Sequence, residues 1–384
     1  MTWVSLITAV VLVAGVPLIA LYLQLVERKV LADFQVRLGP MRVGPHGLLQ
    51  PIADVLKLAM KEDLAPADAD RFLFWMAPLF ATAAALVAFT VLPLSGAIFV
   101  MDVNVGILVI SAAAAIGVLG IIVGGWSSNS HYSLLGALRS AAQLVSYEVA
   151  LGFAMLSALT VAGTLSMQGI VAAQQQRHIW FVFSNFGFML FPFALFLLAI
   201  TAESNRAPFD LPEAESELIG GYHTEYSGLR WSFFMLAEYA NMLLACAVGV
   251  TLFWGGWLRP FPNTQWLQWP MLSGVPFALG CYLAVSCVRM ARKLRQKSQR
   301  LTLVAFGFVL FVMGLLFLIP FVSQRAGGPF WFVLKLSILV YLMIWFRGTF
   351  PRLRYDQLMR LGWKYMIPAS MACLLINAVL GLLG

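Results

Sequence analysis

Long apolar runs, broken at intervals by short polar segments, set the pattern of this chain. A helix needs roughly 20 apolar residues to cross a bilayer. Stretches of that length fall near 3–25, 73–94, 103–125, 144–165, 180–202, 231–254, 271–290, 301–322, 330–346 and 365–383. The pattern predicts an all-α, polytopic membrane protein of about ten transmembrane helices. One weaker periodicity stands apart from these spans. Leu48, Leu49, Ile52, Val55, Leu56 and Ala59 recur at helical spacing, with Gln50, Asp54, Lys57 and Lys61 on the opposite face. That is an amphipathic helix too short to span, lying at the membrane interface. It serves either as a surface anchor or as the lip of an opening for a lipid-soluble molecule.

Composition agrees. Hydrophobic residues make up 61% of the 384 positions and charged residues 11%, against roughly 45–50% and 25% in soluble domains. Disorder, a secreted disulfide scaffold and a free-standing soluble enzyme are excluded. The first run is not a signal peptide: nothing basic precedes it, and it ends in Glu27-Arg28-Lys29 without a small-residue cleavage site. The net charge of +8 would suggest nucleic acid in a soluble protein, but here it sets orientation. Twenty-one of the 25 Lys and Arg fall in alternate loops, 27–72, 126–143, 203–230, 289–300 and 347–364. The opposite side holds Arg177, Arg259 and Arg325, and Lys335 lies within a span. By the positive-inside rule the five charged loops face the cytoplasm. Acidic residues keep to the same side, Asp102 excepted. A face crowded with both signs of charge suits docking of a soluble partner.

Cys246, Cys281, Cys287 and Cys373 sit in apolar runs without a C-x-x-C pair, and His46, His131, His178 and His223 are scattered. No metal or iron–sulfur site is expected in this chain. No phosphate-binding glycine loop occurs either.

Carboxylates carry the chemistry. Glu148 and Glu238 lie well inside apolar spans, where a charge costs roughly 2.5–3.5 kcal/mol on the insertion scale. Such residues either pair or work, and a structural ion pair with Lys335 accounts for one of them only. The loop 203–230 holds Glu203, Asp210, Glu213, Glu215, Glu217 and Glu225 around a single Arg206 in its first half. Asp210 and Glu213 read as a capping box, and Glu203 can pair with Arg206 if the segment is helical. Glu213 and Glu217, four apart, would then repel. The cluster is either a solvated acidic loop or a proton-holding group in a partly dry cavity, where like carboxylates cannot all ionise.

Several long motifs resemble a known family. They are Glu27-Arg28-Lys29, the Arg37-Leu-Gly-Pro…Arg42-Val-Gly-Pro-His-Gly-Leu-Leu-Gln-Pro-Ile-Ala-Asp54 string and Lys61-Glu62-Asp63. Further along come Gly136-Ala-Leu-Arg139…Gln143…Tyr147-Glu148, Glu203-Ser-Asn-Arg206-Ala-Pro-Phe-Asp210, Glu238-Tyr239 and Arg347-Gly-Thr-Phe-Pro-Arg352. Together they resemble the H-subunit family of NADH-quinone oxidoreductase, counterpart of NADH dehydrogenase subunit 1 in mitochondrial respiratory complex I. Met41 departs from the family's usual Asn. The stretch 265–325 looks like a two-helix insertion into an eight-helix pattern; being even in number, it preserves the topology of the remaining spans.

The resemblance implies a membrane subunit of a proton-translocating oxidoreductase of the translocase class, in a bacterial inner membrane. It would form a quinone-access chamber from Arg28, Gln35, Arg37, Asp54, Arg206, Phe209, Arg347 and Arg352. A proton path would run through Glu148, Glu203, Asp210, Glu213, Glu215, Glu217, Glu225 and Glu238. This chain would bind no redox cofactor; FMN and iron–sulfur clusters would sit on partner subunits, among them the one with the terminal cluster and the one binding the quinone head. Quinone and lipid would be its small partners, with no nucleic acid. Alternatives are the homologous subunit of a membrane-bound hydrogenase, or of a complex fed by reduced deazaflavin or ferredoxin. A free-standing ion transporter leaves the large charged loops unexplained.

Overall fold

In hydrocarbon a backbone has only itself to satisfy its polar groups, so spans built from these apolar runs must be helical. The computed structural model describes the backbone of residues 3–210, 220–293 and 297–383, with side chains over 6–210, 220–292 and 299–381. Among the described residues it is all-helical, with nine helices long and apolar enough to cross a membrane.

Helix α1 (Trp3–Phe34) is followed by a folded loop and by α2 (Gln50–Ala59), the short amphipathic helix that the periodicity predicts. Helix α3 (Arg71–Phe89) starts at Asp70, whose Oδ1 accepts from the backbone N–H of Phe72 and Leu73. Then come α4 (Gly106–Ser127), α5 (His131–Ala162), the short α6 (Met167–Gln176), α7 (Leu190–Glu203) and α8 (Gly228–Phe253). The chain ends with α9 (Val275–Lys293), α10 (Lys297–Leu316), α11 (Pro320–Thr349), α12 (Tyr355–Arg360) and α13 (Ile367–Leu383).

Three expectations need correction. The segment 180–202 is not one full span. It begins as two 3₁₀ turns, Phe181–Phe183 and Asn185–Gly187, and only Leu190–Glu203 is α-helical. Positive φ at Asn185, Phe186 and Gly187 breaks the run, and 14 residues reach only about 21 Å at 1.5 Å each. The predicted loop 126–143 is mostly helix, because α5 starts at His131. Helix α1 runs past residue 25, so Glu27, Arg28 and Lys29 are helical.

Buried aromatics from α5, α7, α8 and α11, including Tyr147, Phe196, Phe253 and Phe332, form the main core. Small residues allow closer approach elsewhere. A Cβ on Gly136 of α5 would lie 2.7 Å from the backbone of Gly221, so only glycine fits there. Helices α9 and α10 pack closely at Gly280 and Gly314, where a Cβ on Gly280 would meet Gly314 Cα at 3.0 Å. This pair meets the first loop at its charged end, where His46 Nε2 lies 3.2 Å from the carbonyl of Gln299. Leu6, Val10, Phe306 and Phe308 turn outward, as lipid-facing positions should.

Candidate functional site: a large apolar cavity over a buried charge cluster

Helices α1, α2 and the first turns of α8 line an open cavity of about 1370 Å³. Its walls are largely apolar, with Pro17, Leu21, Leu58 and Met235 among them, and Arg28, Gln50 and Asp54 stand at the α2 side. Arg28 Nη1 donates to Asp54 Oδ2 at 2.9 Å, and Gln50 Nε2 donates to Asp54 Oδ1 at 2.9 Å. The carboxylate thereby ties the amphipathic helix to α1. Gln35 and Arg37 do not reach this cavity. They bond to each other at 2.6 Å in the exposed loop beyond α1.

Tyr239 also lines the cavity, and its hydroxyl belongs to a cluster of buried charge. Tyr239 donates its hydroxyl proton to Glu27 Oε2 at 2.7 Å. Glu27 is 2% exposed and also accepts from Arg347 and, at 3.1 Å, from Arg206 Nη1. Arg206, 5% exposed, lies 3.2 Å from Glu238 Oε1 through its Nε, an ion pair out of line for a hydrogen bond. Its guanidinium sits 4.2 Å over the Tyr239 ring. Burial alone would favour losing the Arg206 proton. The carboxylates of Glu238 and Glu27 outweigh it and raise the pKa, so the side chain stays charged. Two acids, two arginines and a tyrosine thus meet from α1, the turn after α7, α8 and α11.

Gln143 explains how the turn carrying Arg206 holds its shape. From the middle of α5, its Nε2 donates to the carbonyls of Ala202 and Phe209, both at 2.8 Å. Phe209 is a core side chain, its ring 5.6 Å from that of Tyr147. The Tyr147 hydroxyl donates to the Leu358 carbonyl at 3.0 Å. Asp210, 3% exposed, accepts from the exposed Arg352 at 2.9 Å. Nearby His223 is pushed down to about 4 by burial, against the pull of the Asp210 charge, and so stays neutral.

A second cavity, of about 40 Å³, has Glu203, Glu238, Asn241 and Tyr222 in its lining. That is room for about one water. Adjacent residues of α8 therefore face different spaces, Tyr239 the large cavity and Glu238 the small one. Glu203 Oε2 is buried without a hydrogen-bond partner among the described residues, and Glu148 is close enough for the two charges to repel. Glu225 is half-buried beside Tyr226. Glu213, Glu215 and Glu217 lie outside the described residues, as does the capping box expected of Asp210 and Glu213.

The NADH dehydrogenase family model matches residues 7–378, almost the whole chain. The chain belongs to that family. The second NADH-quinone oxidoreductase H subunit of Solibacter usitatus (strain Ellin6076) is 59% identical over 382 residues, covering all of this chain and 97% of the relative. The H subunit of Rickettsia prowazekii (strain Madrid E) is 40% identical over 380 residues, covering 98% and 94%. NADH-ubiquinone oxidoreductase chain 1 of Chondrus crispus is 43% identical over 361 residues, covering 94% and 91%. This NADH dehydrogenase family member is a multi-pass membrane subunit of an enzyme complex, in keeping with its nine spanning helices among the described residues.

Two pairings that the sequence allows are not made. Arg206 turns away from Glu203 toward Glu27 and Glu238, because α7 ends at Glu203 and the chain bends before Arg206. Lys335 meets no carboxylate among the described residues; its Nζ donates to the carbonyls of Trp254, Gly256 and Leu258 just beyond α8. Glu27 is the residue that sequence reasoning missed. A span taken to end at residue 25 leaves it in a loop, whereas a helix continued to Phe34 makes it a buried carboxylate facing two arginines.

Proposed function

We propose that this subunit forms the quinone-access chamber of a proton-translocating NADH-quinone oxidoreductase and the first part of its proton path. One observation carries the reading: Tyr239, in the wall of a cavity large enough for a lipid-soluble substrate, bonds through its hydroxyl to the same buried cluster that holds Glu238 beside a second, smaller cavity. The apolar walls suit an isoprenoid tail, and Arg28 and Asp54 supply polarity at the mouth.

Reduction of a quinone takes two electrons and two protons. In this proposal the electrons come from a terminal iron–sulfur cluster on a partner subunit, and another partner helps bind the quinone head. FMN and the other clusters are likewise carried by partners. The charges of Glu27, Arg206, Arg347 and Glu238 balance one another, so a change of charge near Tyr239 alters the field at Glu238 through a dry, low-dielectric cluster. Glu238, Glu203 and Glu148 then offer carboxylates along which a proton can move, with Asp210, Glu225 and the acidic segment of Glu213, Glu215 and Glu217 as the branch from the loop. Arg352 holds Asp210, and Phe209 packs the turn. The basic loops would face the cytoplasm of a bacterial cell and dock the peripheral subunits. The helix pair within 265–325 is, in this proposal, an addition outside the chamber.

Asp54→Asn tests the chamber. It removes the charge that Arg28 and Gln50 hold, with little change in volume. Quinone turnover should fall while electron transfer from NADH to a soluble artificial acceptor persists. Equal loss of both activities in intact complex would place the defect upstream and refute the assignment.

A further inference from the structure

Basic residues are scarce at the end of the bundle opposite the charged loops: only Arg177, Arg259 and Arg325 are found there. Two of those three line one cavity. It measures about 670 Å³ and lies between the turn after α3, the segment after α8 and the first turns of α11. Among the described residues no carboxylate lines it. The acidic residue on this side, Asp102, accepts a hydrogen bond from Ser166 at 2.8 Å and is not in its wall.

Arg259 is half-buried, and its Nη2 donates to the carbonyls of Pro262 at 2.8 Å and Thr264 at 3.1 Å. Those bonds fix the guanidinium, yet its Nη1 is buried with no hydrogen-bond partner among the described residues. Arg325 is exposed and stacked 4.6 Å over Phe321. Neither arginine makes an ion pair among the described residues. The Trp331 indole N–H, in the same wall, is also buried without a partner among them. Clasping of the 259–264 turn explains Arg259 alone. It gives no reason for a second guanidinium in the same acid-free cavity, where the two repel unless an anion lies between them.

We propose that this cavity binds the phosphate of an anionic phospholipid headgroup from the outer leaflet. Arginine is suited to phosphate because its planar fork offers paired charge-assisted donors. The surroundings favour a lipid over a soluble anion. Trp257 and Trp331 flank the site as aromatic side chains do at a membrane interface, and Ile98 and Leu272 continue its wall with apolar surface.

The test uses the whole purified complex in nanodiscs of phosphatidylcholine doped with photoactivatable phosphatidylglycerol. Illumination should attach lipid to peptides covering 95–98, 257–262 or 324–331. In Arg259→Gln/Arg325→Gln the yield there should fall about tenfold, with quinone reductase activity retained as the sign of assembly. If the double variant does not assemble, Arg325→Gln alone, at an exposed position, should still lower the yield several-fold. Millimolar inorganic phosphate in the same nanodiscs separates the sources. Unchanged labelling supports the headgroup, whereas displacement of the lipid would keep the phosphate chemistry and assign it to a soluble anion. Equal labelling in parent and variants overturns the proposal. So does a photoreactive side chain at Gln324 that captures another subunit and no lipid.

Discussion

Lys335 and Arg206 are both basic and both buried in the helix bundle, yet their surroundings have little in common. Lys335, 2% exposed, gives its Nζ to three backbone carbonyls past the end of α8 and lies 4.2 Å from the Trp180 ring. Arg206 faces two carboxylates that belong to different helices, and one of them, Glu238, lines the small cavity. Buried loop carbonyls need a donor just as helix carbonyls do, so the lysine closes a structural gap. Buried carboxylates are not left over from anything. Each is a charge that folding must desolvate, and their placement around one guanidinium makes sense where the charge itself is used. Burial of a basic residue alone does not mark a site; the chemistry of its acceptors does.

The largest effect expected from breaking this comparison is at Arg206. Arg206→Ala would strand Glu27 and Glu238 in a dry interior, a loss of about 3–5 kcal/mol for one partner of a buried pair. The assembled complex should be nearly absent from membranes, measured by native gel. Lys335→Met should cost less, about 1–3 kcal/mol, because it leaves only neutral carbonyls unpaired. The complex should assemble with a lowered thermal midpoint in detergent and near-parental quinone turnover. The smallest effect is at Arg37. Its partner Gln35 is exposed and does not line the cavity, so Arg37→Ala should stay within about 0.5 kcal/mol of the parent in stability. Its quinone turnover should be unchanged, unlike that of Asp54→Asn.

Much of this architecture is legible in the chain. Apolar length predicts the spans, and the 3.6-residue period picks out α2, because both signals arise from local physics. The shortening of 180–202 is not legible: its apolar content suits a span, and only backbone conformation at Asn185–Gly187 breaks it. Site residues divide in the same way. The cost of burying Glu148 and Glu238 can be read from their apolar neighbours. The partners of Arg206 cannot, since Glu27 is 179 residues away in sequence and nearby Glu203 is the better guess by spacing. Arg28 and Asp54 stand at the large cavity, whereas Gln35 and Arg37 lie outside it.

In the proposed mechanism, charge beside the large cavity is coupled to protons moving through Glu238 and Glu203. That coupling is tested by proton pumping and NADH oxidation by quinone, measured together in vesicles reconstituted with the Glu203→Gln/Glu238→Gln complex. The complex should assemble, electron transfer to a soluble acceptor should be unchanged, and quinone turnover and pumping should fall together. Parental values of both would contradict it.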